Sequence, residues 1–318
     1  MIVALAGGVG GARLAVGLAA VLPPGKFAVI VNTGDDFEHL GLTICPDLDT
    51  VMYTLAGLNN PRAGWGRKDE SWNFMETLGA LGGETWFNLG DRDLAVHVLR
   101  SRALHQGIAL SEVTRALAAR LGVRHPILPM SETLVSTRVQ TNRGELSFQD
   151  YFVRLRCKPA VRGFHFSGAR RAVPPVALTQ LLRGNAVKAA IVCPSNPYVS
   201  IGPILAVPQI ASWLRKRHFP VVAVSPIIGR AAVKGPAAKM MRELKREPSA
   251  LTVARHYGKL VDGWVIDRHD AILRPAIERD GKRVLVTDTL MTNRTKSIRL
   301  AAATLDFARN LARAASLR

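Results

Sequence analysis

A doubly wound α/β fold with a largely parallel, Rossmann-like sheet is what this 318-residue sequence predicts. Three observations lead there. Short apolar runs rich in Val, Ile and Ala recur along the chain, segments with helical apolar spacing separate them, and the runs end in Gly, Asp, Asn or Ser. Strands buried on both faces need no polar alternation, and helical crossovers between them make neighbouring strands parallel.

The first run, residues 2–6, is broken at once by glycines and has no basic leader, so it reads as a buried strand and not a signal peptide. Further strands are expected at 27–32, 189–194, 221–225, 263–267 and 284–288. Helical spacing predicts helices at 11–22, 48–58, 94–106, 111–121, 210–217 and 296–317. Residues 134–166 break the rhythm. There 136–140 alternates with period 2 and Asn142-Arg143-Gly144 marks a turn into 145–148, which predicts a small hairpin-containing insertion in one catalytic domain spanning 1–318.

Composition narrows the function classes. With 48% hydrophobic and 21% charged residues the chain can bury a large core and is not disordered. No apolar stretch reaches the roughly 18 residues a membrane span needs, so no membrane is expected as a partner. Cys45, Cys157 and Cys193 are far apart and lack metal-type spacing, as reduced thiols of a cytoplasmic protein would be. The net charge of +19 comes without aromatic interleaving or a nucleic-acid module, so a nucleic acid polymer is not an expected partner. A solvated basic surface, part of it serving a polyanionic substrate, is the expectation.

Chemistry is expected where the strands end. The first strand empties into Gly7-Gly8-Val9-Gly10-Gly11-Ala12-Arg13 and then a helix, which turns backbone N–H groups toward an anion. Arg13 stands where the dinucleotide fingerprint needs its third glycine, and no Gly-Lys-Ser/Thr follows, so neither an NAD site nor a Walker loop fits. As a bare turn, the loop would need glycine only for its backbone angles. The second strand ends in Asn32-Thr33-Gly34-Asp35-Asp36, and Pro46-Asp47-Leu48-Asp49 opens a helix that Asp47 is expected to cap. Four aspartates within fifteen residues repel one another unless a cation offsets them, which makes a hard metal such as Mg²⁺ a natural occupant.

A third acidic cluster, Gly90-Asp91-Arg92-Asp93, enters a helix on which Asp93 and His97 share a face, while Arg92 can clamp a phosphate or carbonyl. Ser195 and Asn196 follow one later strand, and Ser225 and Gly229 the next, two loops of hydroxyl and N–H donors suited to a nucleotide. Trp65 and Trp72 can stack on a flat heterocycle, with core packing expected for at least one. No G-x-S-x-G elbow marks a hydrolase.

Taken in order, GGVGGARL, NTGDD, CPDLDT, GDRDLAVH, PSNPYVSIGPIL, SPIIGR with KGPA, and DTLMT at 288–292 resemble the 2-phospho-L-lactate transferase family, from residue 6 to residue 292. The resemblance implies an Mg²⁺-dependent, homodimeric phosphotransferase of coenzyme F-420 biosynthesis. Such an enzyme moves a phosphorylated three-carbon acid (phospholactyl, phosphoenolpyruvyl or 3-phosphoglyceryl) from a guanosine diphosphate-linked donor. The acceptor is the ribityl hydroxyl of a deazaflavin alcohol, 7,8-didemethyl-8-hydroxy-5-deazariboflavin, and GMP is released. Carried over by residue, the resemblance puts the deazaflavin near Asp49 and Arg92, and metal on Asp35, Asp47 and Asp49. Ser195, Asn196, Ser225 and Gly229 would hold the donor nucleotide, with Gly8, Gly10 and Gly11 near its phosphates and Asn32 and Asp93 beside the acids. Asp49, Asp35 and Arg92 are the expected catalytic groups, Asp49 nearest the reacting hydroxyl. A non-catalytic class, nucleotide-sugar-binding regulatory proteins related to gluconeogenesis factors, shares the glycine loop and aspartate-rich turn and stays open.

Overall fold

A computed structural model describes residues 1–316. Its centre is a seven-stranded sheet built from β1 (Ile2–Ala6), β2 (Phe27–Val31), β3 (Ile127–Pro129), β4 (Ala189–Val192), β5 (Val221–Val224), β6 (Gly263–Asp267) and β7 (Arg283–Thr287). The spatial order is β7-β6-β5-β4-β1-β2-β3, with every neighbouring pair parallel. The chain runs outward from β1 through β2 to β3, then returns to the other side of β1 and runs outward again from β4 to β7. That reversal between β1 and β4 opens a crevice at their carboxyl ends, the place where ligands of open α/β sheets bind.

Period-2 alternation sorts each strand between two cores. Val3, Leu5, Ala28 and Ile30 pack on one face, and Ala4, Ala6, Phe27, Val29 and Val31 on the other. The second face is covered by α1 (Gly8–Val21), α2 (Pro46–Leu55) and the long helix Arg294–Ser316. Gly17 allows α1 to approach that long helix, because a Cβ there would stand 2.1 Å from the Ser297 carbonyl oxygen. Beyond the sheet come α3 (Asn73–Ala80), α4 (Asp91–His105) and α5 (Leu110–Arg120). The expected hairpin is present as Ser136–Thr141 paired with Gly144–Ser147, and Val161–Ser167 adds a third antiparallel strand. None of the helices is long and apolar enough to cross a membrane among the described residues.

Several elements differ from expectation for identifiable reasons. Helix α1 begins at Gly8, not at 11, and α2 at Pro46, not at 48. Strand β3 is only three residues long, too short to show a period. Helices Val176–Arg183 and Arg274–Arg279 are equally short for a 3.6-residue pattern, whereas Ala250–Tyr257 carried a readable start, Ser249 accepting from the Thr252 N–H at 3.1 Å. The expected helix end at Leu317 lies outside the described residues.

Candidate functional site

A cavity of about 560 Å³ lies at the carboxyl ends of the central strands, a size ordinary for a small-molecule site. Among the sequence-predicted residues, Gly8, Gly10, Asp35, Asp47, Asp49, Asp93, Ser195, Asn196 and Ser225 line it. Gly11, Asn32, Arg92 and Gly229 do not.

The aspartates reach the cavity by different routes. Asp47 does not cap α2 as expected; Cys45 holds that position without a side-chain bond. Its carboxylate accepts instead from the Gly8 N–H at 2.7 Å and from Asn32 Nδ2 at 2.9 Å. Asn32 is fully buried and spends its other polar groups on Val199 O and the Gly34 N–H, so it ties the ends of β1 and β2 to the 197–201 turn. Burial pushes the Asp47 carboxyl up to about 6 despite these donors. Asp35 is raised as well, by burial and then by the charge of Asp47, and its Oδ1 is buried without a partner. Asp36, one of the four aspartates expected to meet there, is not on the cavity lining, though it too is raised by burial and has an unpartnered Oδ1. Two buried, mutually repelling carboxylates with an orphaned oxygen form a donor set suited to a hard cation.

Asp49 belongs to a separate network. Both its oxygens accept from Arg100 of α4, Oδ2 from Nη1 at 3.0 Å and Oδ1 from Nη2. Arg100 Nη1 also lies 3.2 Å from His97 Nδ1. His97 is buried, with Nδ1 3.7 Å from Asp49 and Nε2 3.3 Å from Asp93 Oδ2 in a geometry too oblique for a hydrogen bond. Tyr53 OH donates to Asp93 at 2.5 Å. Burial opposes the charge on Asp93, yet His97, Tyr53 and Arg100 together hold its carboxyl below the usual range. Burial also opposes the Arg100 guanidinium, and the Asp49 charge more than restores it. Among the described residues, one set of three ligand-type side chains converges within 4.8 Å, and it joins Asp49 to Asp93 and His97, not to Asp35 and Asp47.

Arg92 stands apart. Its backbone N–H, with that of Asp93, is held by Glu70, at 2.7 and 2.9 Å, which satisfies the start of α4. Its side chain is exposed outside the cavity wall. Arg100, two turns further on, is the arginine that the fold brings to Asp49, and only its burial distinguishes it from the other arginines of the helix.

The strand-end loops are satisfied internally. Ser195 Oγ accepts from the Gly7 N–H at 3.1 Å and donates to Gly7 O at 2.8 Å. Asn196 Oδ1 accepts from the Tyr198 N–H, and Ser225 Oγ donates to Ile227 O. The Gly229 N–H is taken by Asp270. Of the four loop glycines 7, 8, 10 and 11, Gly8 alone has a left-handed backbone, φ 60°. Gly10 and Gly11 are needed for close approach, since a Cβ would stand 2.2 Å from Pro194 O and 2.6 Å from Ser195 Oγ.

Aromatic side chains line the same cavity as the acids. Trp65 lines the cavity, but both Trp65 and Trp72 are about half exposed, so neither packs in the core as one was expected to. Tyr53, Trp86, Phe87, Phe148 and Phe152 line the cavity too, none of them legible from local sequence. Trp86 packs edge-on to Phe87 and under the Arg154 guanidinium. Four aspartates on the lining face only two permanent cations, Arg13 and Lys234, so the surplus basic charge of the chain is not concentrated here.

The arrangement has relatives. A solved structure from Bacillus halodurans, described as a protein member of the UPF0052 family, has the same fold, with a TM-score of 0.62 at 14% identity over 96% of this chain and 98% of that one. The phosphoenolpyruvate transferase of Streptomyces griseus is 44% identical over 315 residues, covering 96% of this chain and 98% of the relative. The 2-phospho-L-lactate transferase of Methanopyrus kandleri is 40% identical over 302 residues, 93% of this chain and 94% of the relative. The family model described as 2-phospho-L-lactate transferase CofD matches residues 2–305. With acids and aromatic rings lining one cavity at the switch point of a parallel sheet, and with that match over nearly its whole length, the chain belongs to the CofD transferase family.

Proposed function

We propose that this protein transfers a phosphorylated three-carbon acid from a guanosine diphosphate-linked donor to the ribityl hydroxyl of the deazaflavin alcohol, releasing GMP, in coenzyme F-420 biosynthesis. The observation that carries the reading is a cavity lined by both aromatic rings and buried acids. The lining rings of Tyr53, Trp65, Trp86, Phe87, Phe148 and Phe152 suit a flat heterocycle, and the lining acids suit a hydroxyl and a phosphate-bound cation. Relatives named phosphoenolpyruvate transferase reach 44% identity, which makes phosphoenolpyruvyl the acid we propose first.

The reaction is an in-line displacement. The acceptor oxygen bonds to the phosphorus bearing the three-carbon acid, the bond from that phosphorus to the GMP oxygen breaks, and the hydroxyl proton passes to a carboxylate. Asp49 fits that role, because Arg100 fixes its carboxylate at the cavity wall. Catalysis of this kind rests mainly on positioning and charge stabilisation. Asp35 and Asp47 fit Mg²⁺ by their buried, mutually repelling carboxylates and the unpartnered Asp35 Oδ1, and the ion would supply neutralisation of the diphosphate. A homodimer is part of the proposal, checked by sedimentation.

The test is to incubate the protein and Mg²⁺ with the deazaflavin alcohol and each of the three activated donors, then weigh the products. Product from the phosphoenolpyruvyl donor is expected. No product from any donor, together with tight binding of a UDP-sugar, would overturn the reading in favour of a regulatory binding protein.

A further inference from the structure

The glycine loop at the start of α1 already has its anion. The Gly8 N–H points at Asp47 Oδ1 at 2.7 Å and the Gly7 N–H is bonded to Ser195 Oγ, so a carboxylate of the protein sits where the helix end would attract a phosphate. A ligand phosphate must therefore find its positive charge elsewhere.

Arg13 and Lys234 are the two cavity-lining side chains with permanent positive charge. Both are bonded to neutral acceptors. Arg13 Nη1 donates to Met291 O at 2.8 Å, and Lys234 Nζ donates to Ala63 O at 2.7 Å and reaches Arg62 O at 3.4 Å. Among the described residues neither lies within ion-pair distance of a carboxylate. They are close enough to repel, since the Lys234 ammonium is lowered first by partial burial and then by the charge of Arg13. An anion between them relieves that repulsion and offers charge-assisted bonds roughly twice as strong as those to a neutral carbonyl.

We propose that Arg13 and Lys234 form the receiving site for a diphosphate group, Lys234 exchanging the Arg62 and Ala63 carbonyls for phosphate oxygens when it binds. The loop that Lys234 holds runs between Asn59 and Arg67, which pair across its neck, and it carries the cavity-lining Trp65. Gly64 packs so closely that a Cβ would stand 2.8 Å from Val9 and 2.9 Å from Lys234 Nζ. Diphosphate binding thereby frees the loop bearing Trp65. The identity of the diphosphate rests on the donor reading above; the site itself is defined by two cations on one cavity lining whose partners are neutral carbonyls.

Calorimetric titration with inorganic pyrophosphate, guanosine diphosphate and guanosine tests it, in Mg²⁺-containing buffer at fixed ionic strength. Lys234→Met and Arg13→Met are each expected to weaken pyrophosphate and guanosine diphosphate binding by roughly tenfold to a hundredfold, as loss of a charged hydrogen bond does, and to leave guanosine unchanged. Pyrophosphate should also change the tryptophan emission of the parent chain, and both Trp65→Phe and Lys234→Met should abolish that change. Lys234 is on an exposed loop, so its variant stays informative if Arg13→Met unfolds. Parent-like pyrophosphate affinity in a folded Lys234→Met variant overturns the site, even if guanosine diphosphate binds well and the donor reading stands. Binding of pyrophosphate through this pair with no preference for guanosine diphosphate upholds the site and removes the guanosine donor instead.

Discussion

Arg100 and Asp49 form a buried two-pronged ion pair that ties α4 to α2 beneath the cavity. Arg100 is 1% exposed and Asp49 4%, so neither charge has solvent to fall back on. Breaking such a pair from one side leaves an uncompensated charge, at a cost of about 3–5 kcal/mol. Arg100→Met should lower the unfolding free energy by about that much in a denaturant titration, and the double variant Arg100→Met/Asp49→Asn should recover a large part of it. Additive losses would remove the pairing argument.

Turnover tests the same residue differently. Asp49→Asn keeps the shape and a hydrogen-bond acceptor but loses the charge and the basic oxygen, so kcat should fall by roughly 10² or more, with donor affinity kept. Steady-state kinetics beside donor titration separates the two, and unimpaired kcat would take Asp49 out of the mechanism.

Asp47 gives a dependence on pH and metal. Its carboxyl, ordinarily near 3.8, titrates at about 6 in the folded chain. A raised acid keeps its proton in the folded state after the unfolded chain has released it. Its contribution to stability is therefore lost as pH rises from about 4 to about 6 and is level beyond, a change on the order of 3 kcal/mol. Asp35, raised by burial and by Asp47, acts in the same direction. In chelator, the parent chain should lose stability relative to Asp47→Asn between pH 4.5 and 6.5, and Mg²⁺ should restore it at pH 7.5 more than at pH 5. Chelator should stop turnover and Mg²⁺ return it. A pH-independent difference between the two chains would contradict the buried-carboxylate account.

Gly10→Ala probes the glycine loop. The added Cβ would stand 2.2 Å from the Pro194 carbonyl oxygen, which is backbone and cannot swing away. Overpacking of this kind costs typically 1–3 kcal/mol, and the melting temperature should drop accordingly. Gly25→Ala, at an open turn with φ 77°, carries only the strain of a left-handed backbone and serves as the comparison. Equal losses would mean that close packing of α1 on the 194–196 loop is not what fixes Gly10.

What the sequence determined is what depends on neighbours along the chain. Apolar runs at 2–6, 27–31, 189–192, 221–224 and 263–267 are strands because each can be buried on both faces, 283–287 is a partly buried edge strand beside them, and their end loops carry the polar residues because backbone there must meet water or a ligand. Six of the seven central strands and the hairpin turn at Asn142-Arg143 were legible on those grounds; of the four aspartates expected to converge, Asp35, Asp47 and Asp49 line one cavity and Asp36 does not. Which partner each acid meets was decided only in three dimensions. Asp47 was expected to cap its own helix and bonds instead to Gly8 and Asn32, across the sheet. Arg92 was expected at the site and is exposed, while Arg100 lies on the buried face of the same helix, eight positions on. Nothing local separates two arginines of one helix; the rotation at which α4 docks against α2 does, because only one of them can be desolvated against a carboxylate that offsets the cost.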